Sequence, residues 1–374
     1  PGAGAASLNL HSVRSVVEAA SLPACFCIIP IMSSSDSSFS LSAPLSVPAG
    51  VDPVAWGELR PHVRTLLERI GRRTRPPMES LPADLAREAY ALGSEVLEIR
   101  PPELARVEEL RIPTRDARSI PGRLYIPLRG TGQDATVPLP VLVFYHGGGF
   151  VVGSVATHDT LCRALCAGSG CAVVSVDYRL APDHKFPVAF QDAWDAIFWL
   201  RQKAAALGLD AQRMAVGGDS AGGTLAAGCA VQAAQEGVPL RLQLLFYPGM
   251  QAAPLTPSRH KYAQGFLLTE PQIAWMFEQW VNSPADYEDW RFAPFLAPRV
   301  DGVAPLWLGL AECDPIYDDA MLWADRLRSE GVPVTLEVYH GVIHEFIKMG
   351  RAIPEALQAH ADAAAALRRA LWEE

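Results

Sequence analysis

Apolar and polar positions along the chain change their period twice. Between Val54 and Ile70, and again between Pro82 and Leu97, apolar residues recur at helical spacing, with the breaker-rich Arg72–Pro77 between them. From about Glu103 the pattern turns to short β-rich runs, Val107–Ile112 and Leu124–Pro127. The strongly apolar Val141–Tyr145 follows, punctuated at its start by Pro138 and Pro140. Beyond it, strand-like Cys171–Val176, Arg213–Val216, Leu240–Tyr247, Leu306–Leu310 and Val334–Tyr339 alternate with helical Pro187–Leu207, Ser220–Glu236, Tyr317–Ser329 and Pro354–Trp372. Continuous apolar strands separated by helices predict a mostly parallel sheet with helices on both faces. Between Pro248 and Pro298 the alternation is interrupted by an insert rich in aromatics: Phe266, Trp275, Phe277, Trp280, Trp290 and Phe292. At the other end, Ser33–Gly50 is rich in Ser and Pro and reads as flexible linker. The first methionine is Met32, which leaves it open whether residues 1–31 are native.

Composition narrows the classes of function. The 374 residues, 49% hydrophobic and 20% charged, carry a formal net charge of −9, so nucleic acid and anionic membrane surfaces are disfavoured as partners. No apolar stretch reaches the roughly 18 residues of a membrane span. The short apolar run Leu22–Ile31 lacks the basic start and the cleavage site of a secretory signal. The seven cysteines, an odd number with no repeating framework, predict reduced thiols and a cytoplasmic protein. Cys162, Cys166 and Cys171 match no common zinc spacing and read as buried thiols, so no metal site is expected.

Three segments carry candidate chemistry. Gly218-Asp219-Ser220-Ala221-Gly222-Gly223 fits G-x-S-x-G between a predicted strand and a predicted helix. That sharp turn lifts a serine hydroxyl clear of the sheet. Taken alone it could equally be a glycine-rich turn serving close packing. His146-Gly147-Gly148-Gly149-Phe150 directly follows an apolar strand, where glycines let backbone N–H groups approach a developing oxyanion. A dinucleotide-binding reading fails because Val152 stands where its third glycine belongs. A triad completed in the order Ser, acid, His draws on residues beyond the insert. His344 lies on a loop after the last strand, ahead of its rivals His340, at the strand's end, and His360, within the last helix. Asp314, on the loop after Leu306–Leu310, is better placed than Glu312, Asp318 or Asp319, the latter two reading as helix N-terminal residues.

Together these residues resemble the hormone-sensitive-lipase family of esterases, bacterial family IV among them. The likeness extends to Asp177-Tyr178-Arg179-Leu180-Ala181-Pro182, Phe186-Pro187 and Asp314-Pro315 with Asp318, and covers about Val141 to Met349. The resemblance implies an α/β-hydrolase fold with a helical cap over a mostly parallel sheet, and a triad of Ser220, Asp314 and His344. It implies oxyanion N–H groups from Gly148, Gly149 and Ala221, with Gly147 shaping the loop, His146 as a structural turn residue and Arg179 as scaffold beneath the site. The expected organisation is a leader over residues 1–50, an N-terminal helical cap over 51–98, and a catalytic domain over 99–374 with the aromatic insert near 250–295.

The expected activity is hydrolysis of short- to medium-chain carboxylic esters through an acyl-enzyme, with no cofactor, in a monomer or homodimer. The insert's rings Trp275, Phe277, Trp280, Trp290 and Phe292 are expected to wall an acyl pocket of limited depth. An amidase or peptidase with the same triad is one alternative. A non-catalytic binding protein on the same fold is the other, although the receptors of that kind lack the histidine that this chain has at His344.

Overall fold

The computed structural model describes residues 47–72, 76–129, 136–252 and 256–373. The expectations for the leader fall almost wholly outside the described residues, as do Cys25 and Cys27. The core is an eight-stranded sheet: β1 (Arg106–Pro113), β2 (Ser119–Ile126), β3 (Leu139–Tyr145), β4 (Ala172–Val176), β5 (Leu209–Asp219), β6 (Leu242–Phe246), β7 (Leu306–Cys313) and β8 (Val334–Ile343). Their order is β1-β2-β4-β3-β5-β6-β7-β8. The β1–β2 and β2–β4 pairs are antiparallel, and every other pair is parallel. All residues of β3, β4 and β6 are buried, which is why their sequences are apolar without alternation.

The helices are α1 (Pro53–Glu58), α2 (Pro61–Gly71), α3 (Ala83–Ser94), α4 (Asp159–Ser169), α5 (Val188–Leu207), α6 (Ala221–Glu236), α7 (Pro257–Lys261), α8 (Glu270–Trp280), α9 (Tyr317–Ser329) and α10 (Glu355–Trp372). Pairs α4 with α10 and α5 with α6 pack closely enough that small residues stand at their contacts. A Cβ at Gly168 would lie 2.9 Å from that of Ala364, and one at Gly228 would lie 2.8 Å from the Phe190 ring. One predicted element divides. The helix expected over Val54–Ile70 is two, because Pro61 removes a backbone donor and disfavours helical backbone at Arg60, which stands at φ −58°, ψ 145°. Cys162, Cys166, Cys171, Cys229 and Cys313 are buried free thiols. Among the described residues no helix is long and apolar enough to cross a membrane.

The parallel strands bring their carboxyl ends to one edge, the place where α/β sheets bind ligands. β5 runs through Asp219 and delivers Ser220. β7 and β8 pair through Cys313 and Ile343, so the next residues, Asp314 and His344, leave the sheet side by side. A bulge sets that register. Ala311 pairs with Tyr339 and Cys313 with Ile343, so one residue of β7 faces three of β8: His340, Gly341 and Val342. Without the bulge, Asp314 would face Val342.

Candidate active site

Ser220 sits in a strained turn at φ 51°, ψ −122°, between the end of β5 and the start of α6. The turn depends on glycine: a Cβ at Gly222 would lie 2.0 Å from the Tyr145 carbonyl oxygen. Ser220 N donates to Phe246 O at 2.9 Å, which ties the turn to β6 and leaves the hydroxyl free to project. His344 Nε2 lies 2.9 Å from Ser220 Oγ, and His344 Nδ1 lies 2.6 Å from Asp314 Oδ2. An ionised carboxylate can only accept, so the proton sits on Nδ1, and Nε2 presents its lone pair to the serine hydroxyl. The other oxygen of Asp314, which is fully buried, accepts from Ile316 N at 2.9 Å. Burial works to lower the pKa of His344. The Asp314 carboxylate, by charge and hydrogen bond, outweighs it with help from Glu345 and Asp219, and the net direction is upward from 6.5.

The glycine loop after β3 faces this trio. Gly148 stands at φ 120°, where a Cβ would meet Val152 O at 2.2 Å. Among the described residues, the backbone N–H groups of Gly148, Gly149 and Ala221 have no hydrogen-bond partner. Gly147 N instead donates to Asp219 Oδ1 at 2.9 Å, which fastens the loop to the turn that holds Ser220. Asp219 is fully buried. Burial opposes its ionisation, yet His158 foremost, with Lys348 and His146, holds its pKa below the usual carboxylate value. The His158 ring nitrogen Nε2 is 3.4 Å from it. His146 is buried and stacked on Tyr178, and burial and its neighbour His158 push its pKa down to about 3. A neutral imidazole there can donate Nδ1–H to Gly147 O, at 2.8 Å, and so brace the loop's first turn.

The rivals are placed elsewhere. His340 points outward from the bulge and pairs with Glu312 at 3.1 Å, while Glu312 Oε2 accepts from Gly341 N at 2.8 Å. His360 bonds Ile347 O from within α10. Asp318 and Asp319, in the first turn of α9, hold the insert: Asp318 accepts from Ser258 N, and Asp319 from Met250 N and Gln251 N. Burial raises Asp319 to about 6 against those backbone donors. Arg179 bridges Asp192 of α5 at 2.6 Å and Asp116 of the β1–β2 turn at 2.7 Å.

Two cavities meet at Ser220, and both are bounded by Gly149, Leu268 and Met276. The first adds Phe150, Ala221, Ile273, Phe277, Phe292 and Ile316. The second adds Tyr90, Gly148, Gln272, His344 and Glu345. Here the expected wall of five rings needs correction. Phe277 and Phe292 line the first cavity, but Trp280 packs behind it, stacked on Phe150 with centroids 4.4 Å apart. Trp290 packs on Phe190, and Trp275 borders neither cavity. Helical spacing explains the selection, since Ile273, Met276, Phe277 and Trp280 share one face of α8 and Trp275 falls off it.

Several residues at the site gave no sequence signal of their own. Tyr90 OH donates to Glu345 Oε1 at 2.5 Å, and Lys348 Nζ donates to Tyr90 OH at 3.1 Å. Arg87, one turn earlier on α3, donates to Val151 O and Ala181 O and pairs with Asp183. Only the spacing of Arg87 and Tyr90 on one helix face could have marked them as a pair.

The chain belongs to the α/β-hydrolase fold family, on its hormone-sensitive-lipase-like branch; the family's sequence profile matches residues 142–348. It is 42% identical over 282 residues to ethyl acetate hydrolase of Pseudomonas putida, covering 75% of this chain and 88% of that protein. It is 39% identical over 280 residues to carboxylesterase NlhH of Mycobacterium tuberculosis, covering 72% and 86%. Among solved structures, an ester-hydrolase from the metagenome of Lake Arreo superposes with a TM-score of 0.79 at 38% identity, over 83% of this chain and 98% of that one. An esterase of the archaeon Pyrobaculum calidifontis does so with a TM-score of 0.77 at 36% identity, over the same shares, 83% and 98%.

Proposed function

We propose that this chain is a carboxylesterase that hydrolyses short- to medium-chain carboxylic esters, with Ser220 as nucleophile, His344 as general base and Asp314 as its orienting acid. The observation that carries the reading is the unbroken line from Asp314 through His344 to Ser220, at 2.6 and 2.9 Å, beside three unpartnered backbone N–H groups. Such a line serves acyl transfer. His344 Nε2 takes the Ser220 proton as Oγ attacks the ester carbonyl. Gly148, Gly149 and Ala221 N–H groups receive the negative oxygen, and Gly147, held by Asp219, sets the loop. His344 then gives its proton to the leaving alcohol. Water, deprotonated by His344, attacks the acyl-serine, and His344 returns that proton to Ser220 Oγ as the acid is released. Ser220 and His344 supply the nucleophile and the proton transfers of every step, so the reading calls for no cofactor and no metal.

In the same reading residues 51–98 and the insert near 250–295 form a helical cap on a catalytic domain spanning 99–374. The protein is a monomer or a dimer paired along β8, an edge strand of the sheet. It acts in the cytoplasm. The first cavity, closed by Phe277, Phe292 and Ile316, supports a limit on acyl length. Each methylene adds about 0.8 kcal/mol only while it stays buried, which puts the kcat/KM optimum on p-nitrophenyl esters at about C4 to C8. Turnover of a matched ester and anilide tests the class. The ester should be strongly preferred, and comparable rates would make the protein an amidase.

A further inference from the structure

Chemistry fixes which cavity takes which half of an ester. The leaving alcohol departs with the proton from His344 Nε2, so it lies where His344 forms the wall, in the second cavity. The acyl chain then occupies the first, which His344 does not border.

The two walls differ in their free polar groups. On the acyl side, Arg259 is spent on Glu270, and the Thr224 hydroxyl donates to Gly249 O at 2.6 Å. On the alcohol side, Glu345 follows His344 directly and is held at φ 61°, a left-handed conformation that fixes where its side chain starts. Its Oε1 accepts from Tyr90, which itself accepts from the buried Lys348, so a cation balances the carboxylate through the phenol. Its Oε2 has no hydrogen-bond or ion-pair partner among the described residues and is not sealed from solvent. Gln272, on the same wall, uses Oε1 to accept from Thr269 N at 3.1 Å, while its Nε2 is unpartnered. A free carboxylate oxygen and a free amide donor supply what a hydroxyl group can satisfy, one bond given and one received.

We propose that this chain prefers esters whose alcohol portion carries a further hydroxyl, as in short-chain monoesters of diols and glycerol, and that Glu345 and Gln272 read that hydroxyl. The proposal rests on the ester-hydrolase reading above and assigns its alcohol specificity. A site built to bond a hydroxyl discriminates against the analogue lacking it, because its polar groups are then left unpaired.

The test compares kcat/KM for 2-hydroxyethyl butyrate and propyl butyrate, which share an acyl group and a heavy-atom count. Each value is divided by the ester's own hydroxide-catalysed rate constant, which cancels leaving-group reactivity. The wild type should favour the hydroxyethyl ester by about fivefold, the worth of one hydrogen bond made in a binding site. Glu345→Met should bring the ratio close to one, and Gln272→Met should lower it. The ratio is read within each variant, so a change in its overall activity does not affect the outcome. Turnover of both esters with a wild-type ratio of one overturns the preference alone, as does a full preference surviving in Glu345→Met. No turnover of either ester overturns the ester-hydrolase reading and the preference with it.

Discussion

Ser220, Asp314 and His344 each follow the last residue of a sheet strand, β5, β7 or β8, whereas the residues that roof them come largely from helices outside the sheet, each held by a few polar contacts. The strand ends are set by ladder hydrogen bonds and by the register of Cys313 with Ile343. The roof is attached at separate points. Arg87 holds Val151 O and Ala181 O, Glu58 takes Lys261 and Tyr262, Asp319 takes Met250 and Gln251, and Phe186 N donates to Trp280 O. Under the proposed function the difference separates two jobs: the sheet would fix the reacting atoms relative to one another, and the roof would select the ester that reaches them.

Substitutions should respect that division. The largest effect is expected at the strand ends. Ser220→Ala should lower kcat/KM for a p-nitrophenyl ester by about 10³-fold or more, with the oxyanion donors and binding supplying what remains. The bulge in β8 sharpens the comparison. His344→Ala should lose about as much as Ser220→Ala. His340→Ala, which removes an exposed partner of Glu312, should stay within a few-fold of wild type, roughly the scale of a surface pair. A reversal between the two histidines would transfer the general base to His340.

In the roof the expected change is of selectivity. Phe277→Ala opens the end of the acyl cavity, so the chain-length optimum should move towards longer acids. Its rate on the longest chains should rise by about tenfold, the worth of two newly buried methylenes. An unchanged profile would mean that Phe277 does not limit the pocket. The smallest effect is in pH. His344 works as a base only when neutral and its pKa lies above 6.5, so kcat/KM should decline as pH falls through a value above 6.5. The stability linkage has the opposite sign. Protonated His344 favours the folded state, so its contribution is complete below the unfolded pKa of 6.5 and is lost as pH rises through the higher folded value. An acid limb below 6.5 would contradict the Asp314 contact.

The same division governs what the sequence reveals. The nucleophile turn, the glycine loop and the alternation of strands and helices are local patterns, so Ser220, Gly147–Gly149 and the parallel sheet are legible without coordinates. For His344 and Asp314 the sequence offers only their order along the chain. What brings them together is the bulge at His340–Val342, and no local spacing announces it. The Tyr90–Glu345 contact joins positions 255 residues apart and leaves no periodic trace. The sequence alone does not sort the α8 rings Trp275, Phe277 and Trp280 into pocket and packing, because that depends on which face of the helix turns to the cavity at Ser220. Pro61, by contrast, was a visible reason to divide the first helix.

The central claim is that Ser220 is the activated nucleophile. Intact-mass analysis after treatment with an excess of an organophosphate, followed by peptide mapping, tests it most directly. The expected result is a single adduct on the peptide that carries Ser220, with esterase activity lost in proportion to labelling and no adduct in Ser220→Ala. An adduct on another residue, or full labelling that leaves the activity intact, would contradict it.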